Sequence, residues 1–354
     1  MSKIIQDATL AAWTTGRKTH RSSKGWITGN APCCVHNGET IDTRGRGGIM
    51  VSGNTISYSC FNCQYRASYT SGYPLFYKFR RLLKWIGLDA SEVQRLNIEA
   101  KREQQQHELL GLVKPTVIKE EVKVNFVKEP LPKESVSLNA FIEFLELKKD
   151  SSSDIAGYPP HLLDAVEYLY HRNINMQKYE FYITNDTQFK MNKRVIIPFT
   201  WKGDMVGYTA RALNNDITPK YIQKADAGYV FNIDQQKNNW KFVIVCEGVF
   251  DAISIDGVAI LKAETTQTQI DIIESLDREI IVVPDVDRTG GNLIQIALKN
   301  GWSVSFPVWA ETCKDINEAV QKYGKLFTLK AILDGTETNE LKIKLLEKKY
   351  IPTN

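Results

Sequence analysis

Long apolar runs are absent from this 354-residue sequence, and nothing in it approaches the roughly 18 uninterrupted apolar residues that a membrane span requires. The segment after Met1 has no basic stretch ahead of an apolar core, so no signal peptide is expected. No Gly-x4-Gly-Lys-Ser/Thr loop occurs, which excludes a fused ATP-driven helicase of the P-loop type. These absences predict a cytoplasmic protein that makes no contact with a membrane.

Cysteine and net charge are also scarce. The six cysteines are too few for a disulfide scaffold in a chain of this length. The net charge of +4 gives no argument for nucleic-acid binding by itself, so such an argument must come from where the charges lie. Four of the cysteines nevertheless fall within the first fifth of the sequence, which is typical of metal binding in a reducing compartment.

The composition predicts several domains. Residues 1–98 read as a compact, turn-rich unit with a hairpin turning at residues 52–54 and a helix in PLFYKFRRLLKWIGL. Residues 99–137 are rich in Lys, Glu and Gln and contain prolines, so they read as a flexible linker. Residues 138–240 mix helices with short strands such as RVIIPF.

Residues 241–324 alternate apolar strands with amphipathic segments. FVIVC, VAIL, EIIVVP and WSVSFPVW read as strands, and VFDAISI, QTQIDIIESL and GGNLIQIALKNG as the helices between them. This order predicts a parallel sheet covered on both faces. Residues 325–354 form a tail with one charged helix, TNELKIKLLEKK. The predicted fold class is therefore multi-domain α/β.

Acidic residues follow several of these strands. Glu247 follows FVIVC, with Asp251 in the first turn of the next helix; Asp285 and Asp287 follow EIIVVP; and Asp315 follows the last strand. Because the carboxyl ends of parallel strands meet at one edge, these acids should converge. Clustered carboxylates stay ionised only beside cations, and Mg²⁺ prefers oxygen ligands. Each acid taken singly is as easily a helix cap or a solvated loop residue.

The cysteines predict a zinc site. Cys33 and His36 give C-x2-H, and Cys60 and Cys63 give C-x2-C, so two tight turns would supply four tetrahedral ligands. Cys34 is an alternative to Cys33, which we prefer for its matching spacing. Four protein ligands leave no open position, so the zinc would be structural. Basic and aromatic side chains nearby suit a nucleic-acid backbone and unstacked bases, with a plain solvated surface as the alternative: Arg17, Lys18, Arg21, Lys24, Trp26, Arg44, Arg46, Phe61, Tyr65 and Arg66.

The motifs EGVFDA, DVDRTG and KDIN, in this order, resemble the Toprim domain of primases and topoisomerases over about residues 241–324. The resemblance implies that Glu247, Asp285 and Asp287 are catalytic and hold Mg²⁺ or Mn²⁺, with Asp315 as a further metal contact. It leaves open whether Glu247 is a ligand or a general acid or base.

CCVH…CFNC resembles the zinc-binding domain of bacterial and phage primases, and RVIIPF, GYTAR and PKY resemble their basic subdomain. The second resemblance implies that Arg194, Arg211, Lys220 and Tyr221 bind template or nucleotide. Without it, the three cations could equally be surface residues.

The order of zinc ribbon, linker, basic subdomain and Toprim domain is similar to that of DnaG-like primases, and the size to the stand-alone primases of large tailed bacteriophages. The resemblance implies RNA primer synthesis on single-stranded DNA from ribonucleoside triphosphates during replication. It further implies a separate replicative helicase, a single-stranded DNA-binding protein as another partner, and the host cytoplasm as the location. The alternatives are a Toprim-type nuclease and a non-catalytic protein that binds DNA or helicase.

Overall fold

A computed structural model gives the fold of the chain as two compact units. The first consists of Met1–Val122 with Glu274–Asp277 and Leu298–Gly301, and the second of the rest of residues 123–354. The structure describes residues 3–37, 39–111, 122, 124–147, 158–237, 240–261, 265–287, 290–309 and 313–351. Among these, no helix combines the length and the apolar character needed to cross a bilayer.

The first unit contains an antiparallel sheet whose five strands lie side by side in chain order. The strands are β1 (His20–Arg21), β2 (Ile27–Gly29), β3 (Gly47–Ser52), β4 (Thr55–Cys60) and β5 (Arg66–Thr70). The helices are α1 (Ile4–Thr14), α2 (Tyr77–Trp85) and α3 (Ala90–Leu109), with a 3₁₀ turn at Cys34–Asn37. The predicted hairpin is confirmed by the β3–β4 pairing, and α2 confirms the predicted helix.

Helix α1 was not expected from the sequence, because its apolar positions give only a weak helical pattern. It is held by burial of Ile5 and Trp13 in the core of the first unit. The indole nitrogen of Trp13 also donates a hydrogen bond to the carbonyl of Ile27 in β2 at 3.0 Å. Tertiary packing, more than local propensity, therefore makes this segment a helix.

Helix α3 begins at a capping box formed by Asp89 and Glu92 and continues into the predicted linker. Residues 99–109 are helical because their inner face is packed: Glu103 is buried and accepts hydrogen bonds from the hydroxyls of Tyr69 and Ser71, both at 2.9 Å. The predicted start of the linker is thus helical and packed, whereas residues 112–121 and 123 lie outside the described residues.

The second unit contains two sheets, the first of them antiparallel in the order β10-β9-β8-β7-β6. Its strands are β6 (Ser135–Ser137), β7 (Tyr182–Thr184), β8 (Arg194–Trp201), β9 (Asp204–Ala212) and β10 (Tyr221–Lys224). Helices α4 (Leu138–Leu147) and α5 (Leu162–His171) belong to the same part of the chain. Strands β8 and β9 form a long antiparallel hairpin in the middle of this sheet.

The second sheet of this unit confirms the predicted alternation of strands and helices, in the order β12-β11-β13-β14-β15. Its strands are β11 (Phe242–Cys246), β12 (Val258–Ala259), β13 (Glu279–Val282) and β14 (Ser303–Ser305), all paired in parallel. The helices are α6 (Val249–Ile255), α7 (Gln267–Glu274), α8 (Gly290–Asn300) and α9 (Ile316–Tyr323). Most residues of these strands are apolar and buried because both faces of the sheet are covered.

The tail contains more structure than the single helix expected. Helix α10 (Lys325–Asp334) leads to a two-residue strand, β15 (Thr336–Glu337), and then to α11 (Glu340–Tyr350). Strand β15 pairs antiparallel with β14 and forms the edge of the sheet. Short strands carry too little sequence signal to be predicted, and this one forms because its partner is already in place.

Candidate functional site

The four clustered cysteines come together in the first unit. Cys33 and Cys34 lie at the 3₁₀ turn, Cys60 ends β4, and Cys63 lies in the turn before β5. All four Sγ atoms lie within 4.8 Å of one another, with Cys33 to Cys63 at 3.3 Å and Cys34 to Cys60 at 3.6 Å. A tetrahedral zinc site with Zn–S bonds of about 2.3 Å has S–S edges of roughly 3.8 Å, so this quartet fits zinc.

Polar groups surround the sulfur atoms. The side-chain amide of Asn62 donates to Sγ of Cys34 at 3.5 Å, and the hydroxyl of Tyr58 lies 3.2 Å from Sγ of Cys33. Outer hydrogen bonds of this kind orient metal ligands. Burial raises the pKa of the Cys33 thiol, so without a cation the neutral thiol is favoured.

His36 lies apart from the quartet. Its ring stacks on the indole of Trp85, with centroids 4.7 Å apart and planes 3° from parallel, and burial lowers its pKa. The predicted set of Cys33, His36, Cys60 and Cys63 therefore differs from the geometry at one position, where Cys34 takes the place given to His36. The 3₁₀ turn is the reason, since it brings the two adjacent cysteines to the same cluster.

The basic loop between the two pairs of cysteines is tied at its base by Asp42. The carboxylate of Asp42 accepts hydrogen bonds from the backbone N–H groups of Ala31 at 2.8 Å, Arg44 at 2.9 Å and Arg46 at 2.7 Å. Burial alone would raise the pKa of Asp42, but these three donors outweigh it and hold the pKa below its usual range. Asp42 thus fixes the chain on both sides of it, between the two pairs of cysteines.

Most of the basic and aromatic residues predicted around the cysteines are exposed or partly exposed. Phe61 has 77% of its side chain exposed, on the turn between Cys60 and Cys63. Tyr65 is an exception to the prediction, because it is buried and its hydroxyl donates to the carbonyl of Lys78 at 2.6 Å. Tyr65 therefore belongs to the core of this unit rather than to its surface.

The acidic residues lie where the parallel strands of the second unit end. Burial, and then the carboxylates of Asp251, Glu247, Asp315 and Asp287 in decreasing order of effect, together raise the pKa of Asp285 to about 9. Four acidic neighbours within electrostatic reach of one partly buried carboxyl mean that the predicted acids share one neighbourhood. Their mutual repulsion favours protonation unless a cation is present.

Several of these carboxylates are held by backbone N–H groups. Burial raises the pKa of Asp251 to about 7, and its Oδ1 accepts from the N–H of Asn317 at 2.9 Å. Asp315 caps α9, and Asp287 accepts from the N–H of Gly290 at 3.1 Å. In the described part of the chain, no three carboxylates bring their oxygens within 4.8 Å of one another, so the acids are near but not closely packed.

The basic residues expected on β8 to β10 also form a cluster. Arg194 and Arg211 are buried, with 0% and 4% exposure, whereas Lys220 is exposed and Tyr221 is 41% exposed. The guanidinium of Arg211 lies 5.0 Å from the ring centroid of Tyr221. The charge of Arg211 lowers the pKa of Lys220, while that of Asp315 raises it, so the basic cluster lies within electrostatic reach of the acidic one.

Two residues that the sequence analysis missed connect these clusters. The guanidinium of Arg172, just after α5, lies 4.9 Å from the ring of Tyr168 and 4.8 Å from that of Phe250, and donates to Oδ1 of Asn317 at 2.7 Å. The hydroxyl of Tyr168 accepts from Nε of Arg211 at 2.9 Å. The Tyr-x3-Arg spacing at the end of a helix is too common to have indicated this role.

Fold and site together define an α/β protein with a cysteine quartet in one unit and an acidic cluster beside buried arginines in the other. No family model matches the chain. It is 27% identical over 172 residues to a DNA primase of Aquifex aeolicus, in a match that covers 43% of this chain and 34% of that protein. The chain therefore matches about a third of the length of this curated relative, and the resemblance to primases is confirmed.

Solved primase structures are similar at lower identity. The zinc-binding and RNA polymerase domains of Aquifex aeolicus primase share 18% identity, with 95% of this chain and 87% of that chain covered and a TM-score of 0.42. The RNA polymerase domain of Mycobacterium tuberculosis primase DnaG shares 17% identity, with 60% and 86% covered and a TM-score of 0.45.

Proposed function

We propose that this chain is a DnaG-like DNA primase that joins ribonucleotides into short RNA primers on single-stranded DNA during replication. The observation that carries the proposal is the position of Asp285, which is partly buried near four other carboxylates and within electrostatic reach of a basic cluster. The similarity to a curated DNA primase supports the same reading. In this reading, residues 241–324 are the Toprim catalytic subdomain and residues 138–240 the basic subdomain.

The cysteine quartet would hold one structural zinc ion. The ligands that we propose are Cys33, Cys34, Cys60 and Cys63, since their sulfur atoms already converge. Four protein ligands would leave no position for a reacting group, so the ion would shape the template-reading surface and take no part in the chemistry.

The carboxylates of Glu247, Asp285, Asp287 and Asp315 would hold catalytic Mg²⁺ or Mn²⁺. Mg²⁺ usually binds one or two carboxylates together with waters and substrate phosphates, so acids that are near but not closely packed fit it. When bound, the cations would neutralise charge on the carboxylates and the triphosphate and would make the attacking 3′-hydroxyl more acidic.

The chain's own cations would bind the triphosphate. In the described part of the chain, Nε and Nη2 of Arg194 and Nη1 of Arg211 are buried and have no hydrogen-bond partner. Buried guanidinium N–H groups without partners are costly, and phosphate oxygens would satisfy them. Lys220, at the exposed side of this group, would add charge, and the ring of Tyr221 offers a surface on which a base could stack.

The partners that follow from this function are a single-stranded DNA template and ribonucleoside triphosphates. A separate replicative helicase and a single-stranded DNA-binding protein are proposed as further partners. We also propose that the protein is a stand-alone primase of the bacteriophage type and that it acts in the host cytoplasm.

The test is primer synthesis from labelled ribonucleotides on single-stranded DNA templates of varied sequence. We expect Asp285→Ala and Glu247→Ala each to lower synthesis by roughly 10³-fold or more, as for removal of one member of a catalytic unit. Asp204→Ala is the matched control, since its carboxylate is exposed on β9 and pairs with Lys128. DNA fragments in place of RNA products would support a nuclease, and template binding without any product would support a non-catalytic role.

A further inference from the structure

We infer that helix α11 positions the acidic loop at residues 285–287 and that Tyr350 is the positioning residue. The inference rests on the proposed function, because it assumes that the acids bind a cation. The contacts of α11 that support it are independent of that function. Residues 325–354 were expected to form a tail with one charged helix. The last helix contacts α8 on one side of the acidic loop and the segment after β14 on the other.

The acidic loop is flanked by the start of α8 on one side. The N–H of Gly290 donates to Asp287, and a Cβ at Gly290 would lie 2.2 Å from the carbonyl oxygen of Asp285. Only glycine therefore allows α8 to begin this close to the loop. A movement of the first turn of α8 must move the loop with it.

The segment that leads to α9 flanks the loop on the other side. The N–H of Val286 donates to the carbonyl of Lys314 at 3.0 Å. Lys314 directly precedes Asp315, one of the acids that raises the pKa of Asp285. The spacing among the acids thus depends on how these two flanks are held.

Helix α11 contacts the first flank through Glu347. The carboxylate of Glu347 accepts from the side-chain amide of Gln295 in α8, at 3.0 and 3.2 Å. A Cβ at Gly291 would lie 3.8 Å from Oε1 of Glu347, which is ordinary van der Waals contact. Glu347 of α11 therefore lies beside α8 at Gly291 and Gln295.

Helix α11 contacts the second flank through Tyr350. The Tyr350 ring packs edge-to-face on Phe306, with centroids 5.3 Å apart, and its hydroxyl accepts a hydrogen bond from the indole N–H of Trp309. Phe306 and Trp309 follow β14 in the chain, and residues 310–312, which lie between them and Cys313, are outside the described residues. Burial, and then the nearby charge of Asp285, raise the pKa of Tyr350.

Contacts of α11 with the segments around residues 285–287 would restrain the acidic loop. The carboxylates repel one another in a partly dry environment, and this repulsion pushes their loops apart when no cation is bound. A helix that holds both flanks keeps the acids at a spacing that a divalent ion can use. Loss of the restraint should weaken cation binding while the sheet itself stays folded.

The experiment measures Mn²⁺ binding to the full-length, zinc-loaded protein by the electron paramagnetic resonance signal of free Mn²⁺. We expect Tyr350→Ala to weaken binding about tenfold, at the lower end of the range for residues that orient metal ligands. Tyr350→Phe removes only the hydroxyl and should weaken binding less, about threefold. Lys349→Ala is the matched control on the exposed face of α11 and should bind Mn²⁺ like the wild type. The midpoint of thermal unfolding is measured for each variant.

Wild-type Mn²⁺ affinity in a folded Tyr350→Ala protein would overturn the inference. If Tyr350→Ala does not fold, Tyr350→Phe decides, and unchanged affinity in that variant overturns it equally. Asp285→Ala separates the two proposals: if it also leaves Mn²⁺ binding intact, the acidic site itself is refuted. If Asp285→Ala abolishes binding and the Tyr350 variants do not change it, only the role of α11 fails.

Discussion

The cysteine quartet and the acidic cluster differ in how far each has assembled. The four sulfur atoms lie within 4.8 Å of one another, whereas no three carboxylates among the described residues do. Thiols are neutral while protonated and can approach without repulsion, but carboxylates ionise near pH 4 and repel. Neutral ligands can thus lie in contact within the fold, whereas carboxylates keep a wider spacing, which suits a divalent ion that is shared with waters and substrate phosphates.

Single carboxylates in the two units show the same contrast. Asp42, in the first unit, is buried among three backbone N–H donors, which lower its pKa. Asp285, in the second unit, is partly buried among other acids, and its pKa rises to about 9. Burial opposes ionisation at both aspartates, so the neighbours decide the sign of the shift.

The largest effect that we expect concerns the first unit. Zinc chelation, or Cys60→Ser, should unfold it while the second unit stays folded, because structural zinc contributes on the order of 10 kcal/mol to the folding of small domains. Limited proteolysis and circular dichroism would follow both units, and initiation on single-stranded DNA should suffer more than extension of a supplied dinucleotide. If initiation and extension are lost equally, the first unit is not a template reader.

A smaller effect of opposite sign is expected at the acidic cluster. In zinc-loaded protein without added Mg²⁺ or Mn²⁺ at pH 8, Asp285→Asn should raise the free energy of unfolding by on the order of 2–4 kcal/mol, because it removes a carboxyl that resists ionisation. Because the pKa of Asp285 is raised in the folded protein, the wild type has its full stability below pH 4 and loses stability as the pH rises towards 9. The difference in free energy of unfolding between the variant and the wild type should therefore grow over this range. Denaturant titration at several pH values measures it, and a destabilised variant would contradict the proposed repulsion.

Asp42 should show the reverse dependence on pH. Asp42→Asn should cost about 1–3 kcal/mol at pH 7, since the amide can accept at only one of its two side-chain positions. The pKa of Asp42 is lowered, so its stabilisation is present above pH 4 and is lost as the pH falls through the folded value. Thermal unfolding at pH 7 and pH 3 would check this; an equal cost at both would mean that charge is not involved.

The smallest effect on stability is expected at Phe61. Phe61→Ala should leave the free energy of unfolding within about 0.5 kcal/mol, since the side chain is 77% exposed. If the ring stacks on a template base, the variant should bind single-stranded DNA several-fold more weakly, measured by fluorescence anisotropy. Val51→Ala, at another partly exposed apolar side chain of the same unit, is the control.

Periodicity and strand-end logic predicted the parallel sheet, its helices and the neighbourhood of the acids, because these follow from local pattern and from one topological rule. The sequence analysis weighed Cys34 only against Cys33. That both cysteines lie in the cluster while His36 does not depends on the shape of a 3₁₀ turn, which spacing does not encode. Arg172 was missed because its partners Phe250 and Asn317 are distant in sequence. Strand β15 was missed because a strand of two residues is too short to show an alternating pattern of apolar and polar residues.

The two-residue strand β15 has a practical consequence for work with shortened chains. It occupies the outer hydrogen-bonding edge of β14, so a protein that ends at residue 324 would present an unpaired strand to its neighbours. Such an edge can recruit a strand from another molecule, and the product would be a dimer or an aggregate. Poor solubility of a fragment that ends at residue 324 would then reflect the loss of β15. A fragment that continues to residue 351 keeps this strand and should remain soluble.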